Sequence, residues 1–161
     1  MTPITHQASE EAAFKKPTPP PAFWPSDLVE DFKTASEIRD MIDPDKNDLD
    51  IYIADSVIEY GLRLQSISGN GAELMARMRM AVEQARGDAI VRAMSDEKVD
   101  FSSMSATLQN KYVDSKIAVH HAAYTYCEFL NKRISYAMDY VRSLLSYIKA
   151  DMQNNTPMRQ S

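Results

Sequence analysis

Residues 113–152 read VDSKIAVHHAAYTYCEFLNKRISYAMDYVRSLLSYIKADM, and the spacing of their apolar side chains decides the architecture. Val113, Ile117, His120, Ala123, Cys127, Leu130, Ile134, Ala137, Val141, Leu144 and Ile148 recur in steps of four and three, which makes a seam along one side of an α-helix. A polar stripe of Glu128, Lys132, Ser135, Asp139, Arg142, Ser146 and Lys149 runs opposite. Beside the seam lies an aromatic stripe, Tyr126, Phe129, Tyr136, Tyr140 and Tyr147, with Arg133 inside it. The last glycine is Gly87 and the next proline Pro157, so no strong breaker interrupts residues 88–156. The polar, cap-rich stretch Ser95–Ser103 reads as a reversal, which starts the final helix near Met104 and ends it near Asp151. A helix of about 48 residues is roughly 70 Å long. A compact domain of this size has a radius of gyration of only about 15 Å. The helix therefore needs a partner along its length.

Residues 49–94 supply that partner. Leu49, Ile53, Val57, Tyr60, Leu64 and Ile67 form a second seam. The stretch Ser68-Gly69-Asn70-Gly71 interrupts the composition, yet Leu74, Met78, Ala81 and Ala85 resume the same phase. That continuity favours a bent or collinear helix over a full turn. The expected fold is all-α: a long antiparallel, coiled-coil-like hairpin over residues 49–152. Ahead of it, residues 26–48 form a short acidic helix and turn. Ser26 caps that helix, Leu28, Phe32, Ala35, Ile38 and Ile42 keep helical spacing, and Asp43-Pro44 stops it. Six of the eight prolines fall within residues 1–25, which read as a disordered, extended tail. Phe23 and Trp24 are the candidate partner-docking anchors there. Residues 153–161 read as a flexible C-terminus.

Composition narrows the function. With one Cys among 161 residues, an intramolecular disulfide framework or a Cys-rich zinc module is excluded. No run of about 18 apolar residues occurs, and residues 1–16 lack the apolar core of a secretory signal, so a soluble, cytoplasmic chain is expected. The acidic turn Asp43–Asp50 resembles a calcium loop, but its sixth and twelfth places hold Asp48 and Ala54 where Gly and Glu are required, so it reads as a turn in which Asp48 or Asp50 caps the next helix. His120 and His121 are adjacent and point to different faces of a helix, so they cannot chelate one metal. No catalytic constellation, metal site or cofactor is expected.

Charge is divided unevenly. The net −5 resolves into −8 for residues 1–60, with five Lys/Arg against 13 Asp/Glu, and +3 for residues 61–161, with 13 against ten. Cations interleaved with tyrosines are what a single-strand nucleic-acid binder needs, because cations track phosphates and aromatic faces stack on bases. Lys132, Arg133, Tyr136 and Tyr140, with Arg77 and Arg79 on the preceding helix, are the candidate nucleic-acid residues.

The order of a first long helix, the Ser68-Gly69-Asn70-Gly71 interruption, a polar connector and a stretch from Asp114-Ser115 through Cys127 to Ile148-Lys149-Ala150-Asp151-Met152 resembles the phage UvsY-type recombination mediators. The resemblance is architectural and covers about residues 49–152. It implies a non-enzymatic oligomer that binds single-stranded DNA and works with a recombinase and a single-strand-binding protein. The alternative is a structural or protein-interaction module, such as a virion or scaffold component or an inhibitor of a host defence protein, with no nucleic-acid binding. In both readings the aromatic face leads to a homo-oligomer.

Overall fold

The computed structural model describes residues 20–155, and every regular element among them is helical. In chain order they are α1 (Val29–Ile42), a 3-10 turn (Asp45–Asn47), α2 (Ala54–Ser95), a second 3-10 turn (Phe101–Ser103), α3 (Ala106–Lys116) and α4 (Ala118–Asn155). The expected disordered tail lies outside the described residues up to residue 19.

α2 and α4 form the expected antiparallel hairpin. Gly61 lies against Val141, and Gly71 against Asn131 and Ile134, so residue numbers rise on one helix as they fall on the other. With 42 and 38 residues, the two helices are about 60 Å long. α2 runs unbroken through Ser68-Gly69-Asn70-Gly71, with no positive φ at any glycine. Gly71 is there because the helices touch. A Cβ on it would stand 2.8 Å from Asn131 Oδ1 and 2.9 Å from Ile134 Cδ1.

The seams fill the core. Val57, Leu64, Leu74, Met78, Ile117, Ala123, Cys127, Leu130 and Ile134 are each at most 2% exposed. Burial of side chains of this kind stabilises by about 1.5–3 kcal/mol each for the larger ones, before conformational entropy is set against it. α1 lies against both long helices, antiparallel to α2 and parallel to α4. Phe32, Ala35, Ile38 and Ile42 face inward. Arg77 Nε donates to Asp31 Oδ1 at 2.8 Å near one end of α1, and the Tyr60 hydroxyl donates to the Ile42 carbonyl at the other. The latter bond satisfies a C-terminal helix carbonyl that would otherwise lack a partner.

Three local features differ from expectation. α1 starts at Val29 rather than Ser26. The Asp50 side chain accepts from Tyr52 N–H and does not cap α2, whose first flanking residue is Ile53. The final helix is in two pieces, since Ile117 (φ −107°, ψ 12°) leaves helical geometry between α3 and α4. Backbone bonds continue across it, from Ile117 N–H to Val113 and from His121 N–H to Ile117, so the joint is a kink and the seam stays in phase. Ile117 remains 1% exposed, packed with Val82, Ala89, Ala93, Phe101 and Val113 in a smaller cluster at the hairpin's closed end.

Candidate interaction face

α4 carries two seams. The first, Ala123, Cys127, Leu130, Ile134, Ala137, Val141, Leu144 and Ile148, packs into the main core. Moving each position back by one residue gives Ala122, Tyr126, Phe129, Arg133, Tyr136, Tyr140, Ser143 and Tyr147, with the same 4-3 spacing. One residue turns an α-helix by about 100°. The second seam therefore lies beside the first, turned about 100° from it, and most of it is open. Phe129 is 55% exposed, Tyr136 70%, Tyr140 45% and Tyr147 69%. Among the described residues, only its Tyr126 end is covered, where Phe23 and Trp24 pack on that ring at 6.1 and 6.0 Å between centroids.

The expected site residues are distributed as follows. Tyr136, Tyr140 and Arg133 share this face, and the Arg133 guanidinium sits 5.8 Å from the Phe129 ring centroid. Lys132 borders the face and is paired to Glu128 at 3.1 Å. Arg77 is not on it: it lies on α2, and its guanidinium bridges Asp31 of α1 and Glu73 of α2 at 2.8 and 2.7 Å. Arg79, two residues on, points about 200° away from Arg77. It forms no ion pair with another described residue, so the two arginines do not act together. Trp24 is 5% exposed, set edge-on to Phe32 at 5.3 Å, and its Nε1–H donates to the Leu28 carbonyl at 2.7 Å. It is part of this chain's own core. Phe23, 42% exposed, forms the rim beside Tyr126.

Two residues of the second seam, Ala122 and Ser143, carry no chemistry that singles them out. The 4-3 test repeated one position earlier is the signal that finds them.

A second feature is an open groove of about 740 Å3 where α1's entry meets α2 and α3. Asp27, Asp88, Arg92, Asp96, Lys116 and His120 line it. His120 Nε2 is 3.9 Å from Asp27 Oδ1, and its buried Nδ1 has no partner. His121, the other histidine of the pair, is exposed and outside the groove. Cys127 is buried in the core, and desolvation pushes its thiol up to about 12, so the nucleophilic thiolate is suppressed. Among the described residues no group of three or more His, Cys, Asp or Glu is placed to hold a metal ion. No described helix is long and apolar enough to cross a membrane.

Comparison with known proteins gives no bearing on function: no family model, no curated protein and no solved structure matches this chain.

Proposed function

We propose that this protein is a non-enzymatic, cytoplasmic interaction module, working as a homo-oligomer through the open face of α4 in coiled-coil fashion. The observation that carries the reading is the exposure of Phe129, Tyr136, Tyr140 and Tyr147 along one side of a helix whose adjacent seam packs into the core. Their average exposure is near 60%, and an aromatic side chain offers about 150–250 Å2. The four therefore present roughly 500 Å2 of ring surface on one protomer, at the upper end of what a monomer leaves in one patch. Tyr, Phe and Arg are also the residue types enriched where proteins associate.

A second reading keeps the same face for single-stranded nucleic acid, as in a recombination mediator. Tyr136 and Tyr140 beside Arg133 have the chemistry of a stacking platform. The ion pairing supports this reading less. Lys132 is bonded to Glu128, Arg142 to Asp139 at 2.7 Å, and Arg77 to two carboxylates, so a phosphate would have to displace an existing partner at each. Fluorescence anisotropy with labelled oligo-dT at low salt separates the two. The proposal expects no binding at protein concentrations where the chain is assembled. Binding that weakens with salt, with a slope reduced by about two in Lys132→Ala/Arg133→Ala, would establish the nucleic-acid reading in its place.

A further inference from the structure

We infer that the occupant of the open α4 face is the same face of a second copy, packed antiparallel, with Arg133 of one protomer opposite the partner's Tyr136. The inference rests on the reading that this face mediates assembly, and adds the partner, the direction and the register.

Direction follows from what stands opposite what. In a parallel pair, each seam residue meets itself, so two Arg133 guanidinium groups would be enclosed against one another. In an antiparallel pair, seam positions meet in unlike couples, and three registers one heptad apart centre the contact. The residues that border the face on its polar side are Thr125, Lys132, Asp139 and Ser146, all exposed. In an antiparallel pair, this border meets its own counterpart. One register sets Asp139 across from the partner's Asp139, and another sets Lys132 across from the partner's Lys132. The register between them sets Lys132 across from the partner's Asp139, twice by symmetry. Charge therefore selects a single register.

That register also matches shapes along the seam. Tyr147 faces the partner's Ala122, and Ser143 faces the partner's Tyr126, so large side chains lie over small ones. Tyr140 faces the partner's Phe129, and Tyr136 faces the partner's Arg133, an aromatic pair and a cation over a ring. The existing pairs Glu128–Lys132 and Asp139–Arg142 are extended into a four-charge row on each border. With about 500 Å2 of ring surface from each copy, Arg133 and Ser143 of the seam and the bordering Lys132, the buried area reaches the lower bound of stable interfaces, about 1,200 Å2 in total.

Spin labels on the full chain test direction and register. Ser135→Cys and Ser146→Cys place labels at exposed positions, 146 on the border and 135 one step outside it, while native Cys127, buried in the core, stays unlabelled. In the inferred register, a label at 135 stands about one residue from its mate's level, or about 1.5 Å along the axis, and a label at 146 about 23 residues away, or roughly 35 Å. The expected result is a short distance at 135 and one near 35–40 Å at 146. Short distances at both sites overturn the antiparallel arrangement while leaving the assembly reading intact. No dipolar coupling at either site, with a monomeric mass, overturns both, and a coupling that oligo-dT abolishes transfers the face to nucleic acid. Charge exchange reads the register independently. Lys132→Glu and Asp139→Lys should each raise the dimer Kd about fivefold, and the double exchange should restore it; no restoration overturns the register.

Discussion

Substituting the glycines of Ser68-Gly69-Asn70-Gly71 one at a time has different consequences, although the two stand only two residues apart. At Gly69 an added Cβ meets nothing within 4 Å, and the backbone is ordinary α-helix. Gly69→Ala therefore collects the helix-propensity difference with no steric cost, about 0.8–1 kcal/mol of stabilisation. For a chain of this length that raises Tm by about 2–4 °C. At Gly71 an added Cβ stands at 2.8 and 2.9 Å from Asn131 Oδ1 and Ile134 Cδ1. Both atoms are side-chain ends that can swing aside, so Gly71→Ala should change stability little, the propensity gain offsetting the displacement. Gly71→Leu adds three further carbons to a filled contact. Overpacking costs about 1–3 kcal/mol and sometimes more, so Tm should fall by several degrees despite the better helix former. Thermal unfolding followed by circular dichroism, at one protein concentration because assembly couples to stability, reads all three. A destabilised Gly69→Ala would refute the reasoning, since that is the behaviour of a turn glycine. A neutral Gly71→Leu would mean that α2 and α4 do not touch at this level.

Other expectations follow from named contacts. Trp24→Ala should cost about 3–5 kcal/mol in urea unfolding, because it empties a slot against Phe32 and Tyr126 and frees the Leu28 carbonyl; an unchanged midpoint would put Trp24 outside the fold. Arg77→Ala strips a partner from Asp31, whose side chain is only 18% exposed, and should cost about 1–3 kcal/mol. Arg79→Ala should stay within about 0.5 kcal/mol. At high pH two buried acids work against the fold. Burial raises Tyr60 above the usual phenol value and Cys127 from 9.0 to about 12, so the folded chain holds protons that the unfolded chain releases. The Cys127 contribution is complete below pH 9 and declines by up to about 1.4 kcal/mol per pH unit as pH rises towards 12, and that of Tyr60 is lost only above the ordinary phenol value of 10.0. Urea midpoints at pH 8, 10 and 11 should show the decline, and Cys127→Ala should make it shallower; identical slopes would contradict the assignment to Cys127.

The hairpin was legible because a 4-3 seam is a one-dimensional signal. Val57 to Met78 and Ala123 to Val141 could be read directly, and the persistence of phase across Gly71 favoured a continuous path there over a turn. The kink at Ile117 has no such signature. Neither Gly nor Pro marks it, and the seam passes through it unbroken. Trp24 was hidden for another reason. Its neighbours Pro19–Pro21 and Pro25 dictate a non-helical backbone, which is what residues 20–28 have, but a non-helical segment can still place one ring in a slot that α1 and α4 create together. The aromatic stripe was visible as composition, while its exposure depended on where α1 lies. Phe23 and Trp24, in the turn that leads into α1, take the Tyr126 end, and Phe129 to Tyr147 stay open. Ion pairing was equally out of reach: Arg77 looks available in the sequence, and its engagement with Asp31 spans 46 residues.

The claim that the open face of α4 holds two copies together is tested most directly by molar mass in light scattering at tens of micromolar. The full chain is compared with Tyr136→Glu/Tyr140→Glu, which changes exposed side chains only and should keep its helical circular dichroism. The account predicts about 36 kDa for the native chain, twice the 18.2 kDa of one copy, and about 18 kDa for the variant. A native chain of 18.2 kDa, or a variant that keeps the doubled mass, would contradict it.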